Sequence, residues 1–407
     1  MKYPHLAIAI GVVLLIAIFI PGVTAVEPLW TVTAPPGHQL STVVVSADGS
    51  TIVAGGDQLI ALSRDGRKLW SGWSGSILDI SSDGRYLATS QVQTVRLFSR
   101  TGSIIWDQSL GVPVTDLSMT PDGSLIAASG STTLRTFYNS GVGLGSNTTD
   151  AINHIRFSPA RDQVVVTTSR QIQRYNLSLV PLWYDANSTQ DFVAMSGDGT
   201  LIVTVTFNRA RMYYASGALI WERSIPGGNT LSLAYSRDGS TIVIGRDDNT
   251  LQVLSRDGNL LWTAKEGNWV SSVGVSDDGS VIAAGTMDKN LYFYDRKGTL
   301  LGTFTTGTPI KSRSVSVSGD GSVIAAADAT AVYGFSRSQF ITPATGIPTV
   351  TGTMPATILV TTGAPVSQPV TSAAIPRTTA TPQSGLPGIL CLLSIAAFCL
   401  YSVGKGR

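Results

Sequence analysis

Charge is what this sequence lacks most. Only 13% of its residues are Asp, Glu, Lys or Arg, about half the usual share of a soluble domain. With a formal net charge of +2, the chain has no dense basic footprint, so nucleic acid is not an expected partner. Cysteine is scarcer still. The two present, Cys391 and Cys399, lie in the last apolar segment, which leaves the rest without a disulfide framework. Of three histidines, His5 belongs to the leading apolar stretch. His38 and His154 stand alone, with no second His, Cys or Glu at ligand spacing. No Gly-x-Ser-x-Gly elbow, phosphate loop or dinucleotide fingerprint occurs. The expectation is therefore no catalytic residue, no metal and no cofactor.

The two ends are apolar. Residues 1–25 read as an export signal: Lys2, an apolar run from Leu6 to Ile20, and the small residues Val23-Thr24-Ala25 before Val26. An uncleaved anchor of the same orientation is the alternative. Residues 386–404 are apolar enough to span a bilayer, and the basic tip at 405–407 places that end inside and the remainder outside. Residues 338–385 are Thr, Pro, Ala and Val with almost no charge. Such a tract makes a disordered stalk, because proline withholds donors and keeps the chain extended.

The middle is repetitive. Asp-Gly recurs at Asp48, Asp83, Asp122, Asp198, Asp238, Asp278 and Asp320, with a worn copy at Ala160-Arg161. The period is about 39 residues, that of propeller blades. Each turn is followed by a short apolar strand such as Val281-Ile-Ala-Ala-Gly285, then a mixed strand, then a strand opening on Leu-Trp or Ile-Trp. The tryptophans of that last position are Trp30, Trp70, Trp106, Trp183, Trp221 and Trp262. Recurrence in most repeats points to packing between blades rather than ligand stacking. Gly143-Leu-Gly145 and Leu300-Leu-Gly302 have lost the indole, and those two blades are expected to be looser. The count predicts an all-β, eight-bladed propeller over residues 26–337, with seven blades as the alternative. The last repeat ends without a fourth strand, so Pro28-Leu-Trp-Thr31 is expected to complete it and close the ring.

The Gly258-Asn-Leu-Leu-Trp262 ending resembles the tryptophan-docking repeat of quinoprotein-type propellers, those of PQQ enzymes. Ser276-Asp-Asp-Gly-Ser-Val-Ile282 is equally similar to WD-repeat and related prokaryotic surface propellers. Head, stalk, helix and basic tip together resemble archaeal surface proteins. Pro387-Gly388 resembles the sorting signals at which the helix is exchanged for a lipid. The likeness implies the scaffold; a quinoprotein dehydrogenase would also need a calcium site and a central carboxylate, for which no motif exists. Asp247-Asp-Asn249 and Asp277-Asp-Gly279 lack the alternating ligands of a calcium loop and read as turns.

In such a wheel, loops from fourth to first strands share a face with loops from second to third strands. The first set carries His38, Trp73, Lys265, Glu266, Trp269, Lys311 and Arg313. The second carries Arg170, Arg209, Arg211, Arg246, Asp247, Asp248, Asp288 and Lys289. Trp73 and Trp269 fall outside the repeated position and suit a sugar or a protein contact. Sequons at Asn147, Asn176 and Asn187 are candidate glycan acceptors. The expected role is a non-catalytic, membrane-anchored surface propeller that binds a protein or glycan partner or serves the envelope layer. The alternatives are a quinoprotein-like or glycan-active enzyme with its site at the channel mouth, and an envelope-assembly scaffold.

Overall fold

Seven of the eight repeats carry a hairpin locked by its own side chains. In the first, Ser46 Oγ donates to Asp48 Oδ1 (2.6 Å) and accepts from Thr51 N (3.0 Å). Asp48 Oδ1 also accepts the Ser50 N–H (2.9 Å), and Gly49 turns the chain at φ +67°, where a side chain would be strained. Residues 81–86, 120–125, 196–201, 236–241, 276–281 and 318–323 repeat the lock.

The computed structural model describes residues 25–159, 162–186 and 192–340. The expected leader, most of the stalk, the anchor, the tip, the worn Ala160-Arg161 turn and Asn187 lie outside them. The described chain forms eight four-stranded antiparallel sheets. Blades 1 to 7 span residues 40–72, 78–109, 114–148, 152–185, 192–224, 230–265 and 270–305. Blade 8 has three strands between residues 315 and 335 and takes its outer strand, Trp30–Thr33, from the other end of the chain. The register runs from Trp30 opposite Gly334 to Thr33 opposite Ala331. Eight blades, closed by the N-terminal strand, are thus observed.

Second strands such as Leu125–Gly130 and Val281–Thr286 are buried along their whole length. Their alanines let neighbouring sheets approach. Core clusters accordingly straddle blades: Val323, Ala325 and Val332 of blade 8 pack with Leu40, Ile52 and Ile60 of blade 1. Each such Leu, Ile or Val contributes roughly 1.5–3 kcal/mol through area removed from water.

The repeated indole joins blade to blade. Trp70 Nε1 donates to Arg100 O in the next blade (2.9 Å) and its ring stacks on Phe98 at 5.7 Å. Gly102, at φ +82°, lies against the ring, where a Cβ would come within 2.6 Å of it. Trp30, Trp106, Trp183, Trp221 and Trp262 bond Arg64, Asn139, Ala215, Arg256 and Arg296 carbonyls in the same way. Trp30 docks blade 8 onto blade 1, so the closing joint is no different from the others.

The two blades without the indole fill the joint with other apolar groups. In blade 3, Leu144 packs with Leu177 and Leu179. In blade 7, Val26 N donates to Thr303 O (2.8 Å), and Val26 joins a cluster with Leu291, Phe293 and Phe335. The Phe340 ring packs tilted against Phe293, with centroids 4.6 Å apart. Residues from both ends of the wheel therefore cover that position.

Trp106→Ala should lower the unfolding free energy by about 3–5 kcal/mol in denaturant titrations, since Trp106 is only 8% exposed. Gly102→Ala should cost roughly 1–3 kcal/mol from strain and contact with Trp70. Leu261→Ala, at an exposed position beside Trp262, should change stability by no more than about 0.5 kcal/mol.

Candidate functional site: the channel and the loop face

Inner strands of all eight blades enclose a cavity of about 480 Å³ on the wheel axis. Asp116, on the inner strand of blade 3, is fully buried beside it. Blade 4 supplies His154, whose Nδ1 lies 3.1 Å from Asp116 Oδ2, and Arg156, whose Nη1 lies 3.3 Å from the same oxygen. The fourth member comes from the far side of the ring. Arg313, at the entry to blade 8, reaches across the channel to place Nη2 2.9 Å from Asp116 Oδ1. Its backbone sits at φ +61°, and its carbonyl accepts from Val43 N and Thr42 Oγ1 of blade 1, both at 3.0 Å. An ionised carboxylate only accepts, so His154 Nδ1 carries the proton toward Asp116. The 3.4 Å approach of Arg313 Nη2 to that nitrogen is then a close contact without a donor–acceptor match.

The Asp-Gly face has its own cross-channel arginine. Arg237 Nη1 of blade 6 lies 3.4 Å from Ser82 Oγ of blade 2. Around this mouth the turns bond one another through backbone: Gly319 N to Ala47 O, Asp277 N to Gly319 O, Gly197 N to Arg237 O and Ser82 N to Pro121 O, at 2.6–2.8 Å. Pro121 and Pro159 have no N–H to continue the belt.

Burial alone would raise the Asp116 carboxyl, but the Arg313 and Arg156 guanidiniums and His154 hold it far below the usual carboxylate range. Asp79, on the inner strand of blade 2, behaves oppositely. Loss of water pushes its carboxyl up to about 6, against the Met119 N–H (2.7 Å to Oδ2) and the more distant Arg156. Asp79 lines the channel and is partly exposed there, and desolvation is the dominant effect on it.

The residues singled out from sequence divide into three groups. His38, Trp73, Arg170, Arg209, Lys265, Trp269, Lys289 and Lys311 are exposed on the loop face. Arg313 turns into the channel instead. Arg211, Arg246 and Glu266 leave the face altogether and wedge between blades. Arg211 Nε bonds Glu222 Oε2 (2.7 Å), and Tyr294 donates to Glu266 Oε1 (2.6 Å). Arg246 is fully buried and donates to Phe207, Ile225 and Gly228 carbonyls and to Gln252. Of the aspartates, Asp247 and Asp248 accept from the backbone of Asn229 and Gly228, and Asp288 accepts from Thr286 Oγ1. Asn147 Nδ2 is engaged with Leu179 O (2.9 Å), and Asn176 Oδ1 accepts from Val180 N within a turn. No group of three metal-binding side chains occurs among the described residues.

Opposite pH responses should separate the two channel carboxylates. Asp116 has a depressed folded-state pKa, so its charge stabilises above the unfolded value and the benefit falls away in acid. Asp116→Asn should therefore lower the melting temperature at pH 7, with the gap to wild type narrowing below about pH 4. Asp79 has a raised one, so the wild type gains stability as pH falls from about 7 toward 4. Asp79→Asn should be the more stable protein at pH 8 and lose that advantage near pH 4, read by calorimetry across pH.

Among solved structures, the chain is similar to the C-terminal WD40 domain of Sif2, with a TM-score of 0.66 and 14% identity over 76% of this chain and 99% of that one. Chaetomium thermophilum Sqt1 bound to the N-terminus of the ribosomal protein L10 matches with a TM-score of 0.60 and 15% identity, over 74% and 97%. Sqt1 alone gives 0.60 and 14%, over 74% and 95%. At these identities the likeness shows the propeller fold. No curated protein sequence matches. A family model described as outer membrane protein assembly factor BamB covers residues 91–334. With PQQ-like repeats matched over more than half its length, the chain belongs to that family of β-propellers.

Proposed function

We propose that the protein is a non-catalytic surface propeller, held to a membrane by residues 386–404, whose loop face docks partner proteins of the cell envelope. The observation that carries this reading is the braced channel. Its buried carboxylate, Asp116, already has two guanidiniums and an imidazole on it, an arrangement suited to holding a rigid ring. The groups left facing solvent are varied loop side chains from several blades, among them His38, Trp269, Lys289 and Lys311. Variable loops on a rigid scaffold are a common way to build recognition. Trp269 is half exposed and close in sequence to Lys265, a pairing of the kind that anchors protein contacts. The assembly-factor name of the family agrees with a scaffold role.

Export through residues 1–25 and a spacer at 338–385 would hold the propeller outside the membrane. The test is site-specific photo-crosslinking of the full-length protein in its native membranes. Probes at Trp269 or Lys311 should yield discrete protein adducts, and probes at Asp83 or Asp278 on the opposite face should not. Equal yields from both faces, or none from either, would defeat the proposal.

A further inference from the structure

On the loop face, the loops of blades 8, 1 and 2 enclose a second cleft of about 320 Å³, in the range of small-molecule sites, roughly 300–1,000 Å³. Its wall is about evenly polar and apolar, and the polar part is supplied by Ser41, Ser74, Ser76 and Ser90 with Asp57, Gln91 and Lys311. Gly56 and Gly75 pair with each other across the two loops of blade 1. That pairing leaves a peptide no open strand edge there.

Two strained residues border this cleft. Val92 lines it at φ +52°, and Trp73, also at φ +52°, immediately precedes Ser74. The left-handed region disfavours an indole and disfavours a β-branched side chain more. Val92 is 74% exposed and Trp73 52%, so burial does not offset the strain. Residues kept in such conformations cluster at ligand clamps and switches.

Trp73 is also held in orientation. The Arg96 guanidinium stacks on its ring with Cζ 4.5 Å from the centroid. Asp107 fixes that guanidinium through two bonds of 2.5 and 3.0 Å, and Arg96 Nη1 approaches Gln91 Oε1 of the cleft wall at 3.4 Å. A cation on one face draws electron density from the ring, which makes the exposed part a poor partner for a second cation. A flat apolar surface for C–H groups remains. A ligand that matches both features presents hydroxyls on its edges and C–H bonds on its face.

We propose that the cleft and Trp73 together form a saccharide-binding subsite, in which the indole stacks on the sugar ring and the serines and Asp57 bond its hydroxyls. This site goes beyond the protein-docking role; Lys311 lines the cleft and is shared with the docking face, so the two are separated by Trp269, where crosslinking does not depend on Trp73. The full-length protein would be titrated calorimetrically with chitotetraose, mannotetraose and tetragalacturonate. At least one should bind saturably in the millimolar range or tighter. Trp73→Gly suits the left-handed backbone, so it should keep or raise the melting temperature while weakening binding at least about tenfold. Ser74→Ala should weaken binding as well, and Trp269→Ala should leave it unchanged. Absence of saturable binding by all three sugars, or equal loss in the Trp73 and Trp269 variants, would overturn the assignment.

Discussion

An indole seated on a glycine turn of the next blade is the contact on which this molecule depends. The second strand of each blade is apolar on both faces, so a single sheet has no stable existence in water and needs a neighbour on each side. The indole supplies wide apolar cover, and its N–H satisfies a carbonyl that would otherwise be left at the seam. Only glycine permits both the positive φ and the approach of a ring, as Gly102 does beneath Trp70. Where the indole is missing in blade 7, Val26 and Phe340 cover the gap. The same demand for cover explains why the ends of the wheel meet: Trp30–Thr33 supplies the edge that blade 8 lacks and carries the indole that docks on blade 1.

A closed ring leaves an axial space, and here charge spans it at both mouths. Arg313 runs from blade 8 to blade 3 and Arg237 from blade 6 to the diametrically opposite blade 2, so non-adjacent blades are tied without passing through the ones between. Asp116 and Asp79 sit on inner strands of adjacent blades yet shift in opposite directions. Guanidiniums surround the first, while the second meets mostly protein walls and a backbone amide. Desolvation acts on both, although Asp79 keeps some exposure to the channel, and the number of nearby cations decides the sign.

A wheel braced in this manner holds its loops in fixed relative positions, which is what recognition by several short segments requires. Trp73 is held in place as well. Its backbone is held in an unfavourable region while Arg96 and Asp107 keep the ring at one angle. A face of this kind presents ready-made contacts, so a partner loses little freedom in ordering them.

Blade count, turn geometry and ring closure were legible in the sequence because they rest on local chemistry repeated many times. Ser-x-Asp-Gly folds its hairpin through bonds among residues at most five apart, and Leu-Trp marks the strand whose indole faces the neighbour. The channel was not legible in this way. His154 looked isolated because Asp116 lies 38 residues before it and Arg313 comes 197 residues after Asp116. The one available hint was an aspartate in each of two inner strands, Val114–Met119 and Leu78–Ile80. Arg211, Arg246 and Glu266 were assigned to the correct end of their blades, but strand order does not say whether a long side chain points to solvent or into the seam. Sequence by itself determined the repeating unit and how many times it is used, since each unit is stabilised by its own short-range bonds. Only tertiary structure decided which charges meet across the axis and which loops border a cleft, because those contacts exist only once eight units have closed into a circle.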